Sequence, residues 1–325
     1  MKAATLLIIF LMTSIPVAFG HGLGEDQSET LNIDGIPINL LVDITPDVLE
    51  FDVEELEMKI LFKDDRNANL VENFLYELEI LNGSDELIFS SQIFSQCGET
   101  IIDVIPSDGN MVNIEGQTVD NAFKSSAENR LKISGPLFDR GGLYQITANI
   151  LEIDSNTVDF ENSFLALVTI GEFVPFVVTF DDREYVITCA TYFDEIRNFN
   201  FDSDDYSFRF EMNFNWNPEF LKNIPYLHSE CFIPKTIDSY VFNEISTKIN
   251  GNDVFTMIDR SGEDEIVIHF LFKNKDLLKM AEKIPDGKND ILFAISPTTL
   301  RETAVSEEFT TVSSQQDWKI YLWWE

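Results

Sequence analysis

Three histidines, at positions 21, 228 and 269, are the whole imidazole supply of this 325-residue chain, which limits imidazole chemistry to one site at most. If the chain is trimmed after Gly20, His21 becomes the amino terminus and offers a metal both an amine and a ring nitrogen. Paired with a ring nitrogen from His228, that is a histidine brace, a nitrogen-rich set suited to Cu(II). A terminal amine titrates at about 7.7–8.0, so a metal displaces its proton far more easily than a lysine's. His228 is the better second ligand: it opens a strand after a proline-containing turn, and Glu230 lies two residues on, on the same strand face, as a weak ligand or outer partner. His269 sits among Ile266, Ile268, Phe270 and Phe272 but points the other way, with Glu265 and Lys273, as a surface strand histidine does.

The second inorganic option is calcium. Asp202-Ser203-Asp204-Asp205 and Asp64-Asp65 supply hard oxygen ligands on loops, yet neither follows the twelve-residue EF-hand spacing. In a chain with 57 acidic residues, solvated loops explain them more simply. The sequence carries no G-x-S-x-G, H-E-x-x-H or phosphate-binding glycine loop, so the expectation leans away from an enzyme. A carbohydrate-active or peptide-cleaving site would rest on carboxylates alone, and only their separation in space would identify a pair. Cys97, Cys189 and Cys231 allow one bridge with one thiol over, or three buried thiols. If a pair forms, it is Cys189 with Cys231, both in the second half.

The elements that must position these residues are strands. Ile36, Ile38, Leu40, Val42 and Ile44 alternate with other residues, as do Leu56, Met58, Ile60 and Phe62, then Phe74, Tyr76, Leu78 and Ile80, then Tyr144, Ile146, Ala148 and Ile150. Turn residues separate them, among them Asp64-Asp65-Arg66-Asn67 and Asn82-Gly83-Ser84, the latter also a glycosylation sequon. Tyr144, after Gly141-Gly142, is a tyrosine-corner residue or one more core aromatic. Further strands are expected at 165–170, 176–180, 184–189, 206–214, 228–233, 265–272 and 290–295, with helices over 218–223 and 275–283. The fold expected is mainly β, two tandem immunoglobulin-like β-sandwich domains, the second with short helices. Their boundary falls near Gly171–Pro175, giving 21–171 and 172–310, and Trp318, Ile320, Leu322 and Trp324 mark a terminal strand over 311–325.

Met1 and Lys2 precede an apolar run, Ala3 to Ala18, that ends Ala18-Phe19-Gly20, the pattern of a secretory signal peptide over residues 1–20. The expected location is therefore secreted or extracytoplasmic, at the cell surface, with no membrane span in the mature chain. A net charge of −35, spread along the length, excludes the basic patches that nucleic acid and anionic lipid surfaces require. It suits solubility in a salty medium, with cation capture as the sharper reading.

Several segments carry a resemblance: His21-Gly22-Leu23-Gly24-Glu25, Gly135-Pro136-Leu137-Phe138, Gly141-Gly142-Leu143-Tyr144, Tyr192-Phe193-Asp194, Asn215-Trp216-Asn217, Leu227-His228-Ser229-Glu230 and Ile233-Pro234-Lys235. Together they resemble a group of uncharacterised exported proteins of ammonia-oxidising archaea. The resemblance implies a mature terminus at His21, an extracellular marine or soil setting and a copper-dependent organism, with no assigned reaction. Ser229, Cys97 and Cys231 depart from that group's pattern.

The expected function is that of a secreted or cell-surface acidic protein, binding or structural rather than catalytic, with other surface or secreted proteins as partners. The alternative is an extracytoplasmic copper protein with His21 and His228 as ligands and Glu230 beside them.

Overall fold

The computed structural model describes residues 23–299, apart from 50–53, 108, 110, 127–129, 159–162, 181, 225, 241–243 and 286. The leader over 1–20, His21 and the terminal strand over 311–325 lie outside the described residues.

Alternation of buried and part-exposed side chains builds a molecule that is mainly β, as its patterning implies. The first half supplies β1 (Ile36–Thr45), β2 (Leu56–Asp64), β3 (Phe74–Leu81), β4 (Leu87–Ser95), β5 (Glu99–Pro106), β6 (Leu131–Gly135) and β7 (Gly142–Ile153). An 18-residue strand, β8 (Ser163–Phe180), follows. One sheet has the order β1-β2-β5-β6, with β5 and β6 parallel, and a second has β4-β3-β7-β8. The apolar faces of these two sheets meet. Phe62 of β2 stacks on Phe74 of β3 at 4.5 Å and meets Phe164 of β8 edge-on at 5.9 Å. Across the same gap the Tyr76 hydroxyl bonds to Thr100 at 2.9 Å, which gives this buried polar tip a partner. Tyr144 is buried and donates to the Arg140 carbonyl at 2.7 Å, making it a core aromatic that also closes a corner of the chain.

The second half adds β9 (Arg183–Thr191), β10 (Arg197–Asp202), β11 (Ser207–Asn213), β12 (Tyr226–Pro234), β13 (Glu244–Ile249), β14 (Thr256–Asp259), β15 (Glu265–Lys273) and β16 (Asp290–Thr299). Here β8-β9-β12-β15-β14 faces β10-β11-β16-β13. The long strand therefore belongs to both halves: its first part pairs with β7 and its second with β9, making one continuous 12-stranded sheet. The strands expected separately at 165–170 and 176–180 are one, the backbone staying extended through Gly171–Pro175. Beyond Glu172, β9 is the single strand partner of β8 among the described residues, so Pro175 sits where a free edge tolerates its missing N–H.

Two of the three helices among the described residues are also legible in the sequence. In α1 (Pro218–Leu221), Asn217 caps the Glu219 amide and proline occupies the first turn. The sequence reading has no counterpart of α2 (Lys235–Tyr240). The third, α3 (Asn274–Ala281), buries Leu277 and Met280 and is tied to α1 by Asn274, whose amide donates to the carbonyls of Leu221 and Ile224. Among the described residues no helix is long and apolar enough to cross a membrane.

Candidate metal centre

Period-two geometry sends Leu227, Ser229, Cys231 and Ile233 of β12 into the second core and leaves His228 and Glu230 on the outer face. In β15, Ile266, Ile268, Phe270 and Phe272 turn inward, which puts His269 on that same outer face. The two strands are antiparallel, with Glu230 directly opposite His269 and His228 opposite Leu271. Directly paired residues share a face, with Cβ atoms about 4.5–5.5 Å apart, so this register alone brings Glu230 and His269 into contact.

On the inner side the strands are held by Cys189 and Cys231, which form a disulfide between β9 and β12 immediately beneath Glu230. The buried Ser229 hydroxyl donates to the Ala190 carbonyl at 2.9 Å and fastens the same pair of strands. Tyr192 follows β9, and its ring lies parallel on the His228 ring at 5.1 Å. Gly171 makes room for it: a Cβ there would meet the Tyr192 ring at 3.0 Å.

The three side chains converge on one carboxylate. His269 Nδ1 lies 2.7 Å and His228 Nε2 3.3 Å from Glu230 Oε1, while the Tyr192 hydroxyl donates to Oε2 at 3.3 Å. The imidazole rings are parallel, 6.2 Å between centroids. Burial by itself would raise the Glu230 pKa, but the hydrogen bonds and charge of His228 and His269 outweigh it and hold the group at about 2. Burial, reinforced by the neighbouring Glu230 carboxylate, pushes the Tyr192 hydroxyl upward, so it remains a neutral donor.

One ligand atom from each of His228, Glu230 and His269 falls within 4.8 Å of the others. Nitrogen and oxygen ligands about 2.0–2.2 Å from an ion lie roughly 3 Å from one another, so the two nitrogen–oxygen separations already match those of adjacent ligands. Two imidazoles and a carboxylate suit zinc, copper, nickel or iron. The phenol that orients the second carboxylate oxygen is the kind of outer partner such sites use.

Of the residues singled out in the sequence, His228 and Glu230 are brought together, and His21 lies outside the described residues. His269 does leave the apolar face as expected, yet it is part of the cluster rather than a lone surface histidine. Its signal was invisible in one dimension, because nothing local states which strand lies beside β15. The acidic loops serve turns instead: Asp202 accepts the Asp204 amide, Asp205 the Ser207 amide, and Asp64 the Arg66 guanidinium at 2.6 Å.

Comparison with family models, curated proteins and solved structures returned no match.

Proposed function

We propose that this chain is a secreted or cell-surface acidic protein whose role is binding, and that it binds a divalent transition-metal ion through His228, Glu230 and His269. The observation that carries the reading is the convergence of two imidazole nitrogens on one ionised carboxylate oxygen, on the exposed face of a disulfide-bridged sheet. Copper(II) is the tightest-binding ion for such a donor set on the general order of divalent affinities, ahead of nickel and zinc. The leader pattern supports export, as does the disulfide, which persists in oxidising compartments. The resemblance to exported archaeal proteins points the same way. In the copper-brace version, the amine and ring of His21 add to the same ion.

Titration calorimetry and metal analysis of the untagged, leader-free chain test this. One Cu(II) or Zn(II) per chain is expected, and His228→Ala, Glu230→Gln and His269→Ala should each weaken it by more than about tenfold, with Tyr192→Phe weakening it by about tenfold. Absence of stoichiometric uptake, or a His269→Ala variant that binds as well as the parent, overturns the proposal. Loss of affinity in His21→Ala would assign the amino terminus as a further ligand.

A further inference from the structure

Ligands drawn from two adjacent strands approach an ion from the sheet side alone. The side chains of His228, Glu230 and His269 keep exposures of 34%, 15% and 23%, so the opposite side faces solvent. Tyr192 covers the flank beside His228 and reaches the second oxygen of Glu230. An ion with three protein ligands keeps at least one position for an outside ligand. A divalent ion with one carboxylate and two neutral imidazoles carries net positive charge, which favours an anion there.

The strand register also sets what surrounds that position. Leu271 stands opposite His228, and Met257 of β14 stands opposite His269. Both share the outer face of the cluster and are 44% and 58% exposed. The next outward residue of β15 is the exposed Lys273, opposite Tyr226. The carboxylates outside the cluster that act on its residues are Asp259 of β14, on His269, and Asp47, on Tyr192. The positive charge that favours an anion is therefore the ion's own, while the rest of the chain's charge is screened beyond about 10 Å at 0.1 M salt.

We infer that the centre takes an organic anion as its outer ligand, with the carboxylate on the ion and the apolar body on the shelf formed by Leu271 and Met257. The inference rests on the metal reading above.

Co(II), whose visible bands report its ligands, serves as the probe ion in the full chain, titrated with acetate and with benzoate. Both anions should shift the bands to saturation, benzoate at about tenfold lower concentration because its ring is partly taken out of water. Replacing Leu271→Ser and Met257→Ser together should make the two anions half-saturate alike, with the fold checked by near-ultraviolet circular dichroism. Bands unmoved by either anion, or a benzoate preference that survives the double variant, overturn the inference while leaving metal binding intact. A chain that takes up no Co(II), Zn(II) or Cu(II) overturns the metal reading and the inference with it.

Discussion

Glu230 is the residue through which the cluster couples charge to stability. Its carboxyl is held at about 2 in the folded chain, below the ordinary 4.5, so it binds a proton less readily folded than unfolded. Such a group contributes its full stabilisation above about pH 4.5 and loses it as the pH falls toward the folded value. Glu230→Gln should therefore destabilise the metal-free protein by about 1–3 kcal/mol near pH 6, with the gap to the parent narrowing between pH 4.5 and 3. Urea unfolding across that range measures it. A gap that stays constant down to pH 3 would mean that Glu230 acts through shape alone and not through its charge. Only half of this residue's situation is visible locally: its place beside His228 follows from strand period, whereas its contact with His269 requires a neighbour strand.

Strands β9 and β12 show how elements hold the site rigid. Their disulfide joins positions 42 residues apart, and closing a loop of that length removes enough freedom from the unfolded chain to stabilise the fold by about 4 kcal/mol. Replacing both Cys189 and Cys231 by alanine should lower the urea-unfolding free energy by most of that amount. A loss under about 1 kcal/mol would show that the core packing around the bridge already fixes these strands. At this scale the sequence was most legible where apolar residues alternate without interruption, as in β2, β3, β7 and β11. It was least legible in β4, where Ser91 and Ser95 share the inward row with Phe89 and Ile93 and blur the period. Gly171 and Pro175 hid the joining of the strands expected at 165–170 and 176–180 for a related reason. Each residue type breaks regular structure in isolation, and only the packing of Tyr192 and the free edge of β8 show why both are accommodated in an unbroken strand.

For the whole molecule, 57 acidic against 22 basic residues make self-repulsion a standing cost of compactness. The thermal midpoint should rise by roughly 5 °C or more between about 10 mM and 0.5 M sodium chloride, because the screening length shrinks from about 30 Å to a few ångströms. The two cores should also unfold together, since β8 contributes to both and Leu143 N–H bonds to the Phe193 carbonyl at 2.9 Å. Differential scanning calorimetry reads both effects, and two resolved transitions would show that the shared strand does not couple the halves. What the sequence by itself determined was local: the strands whose apolar residues alternate without interruption and the faces of those strands, two of the helix positions, the acidity, and the placing of His228 and Glu230 on one side of a strand. Backbone geometry dictates these residue by residue, through the alternation of side chains along an extended chain. Tertiary structure alone decided that β12 and β15 lie side by side in a register that sets His269 against Glu230, and that β9 carries Tyr192 over His228. Such pairings join segments far apart in the chain, and they follow from how all the apolar faces are buried at once, which no single stretch of residues specifies.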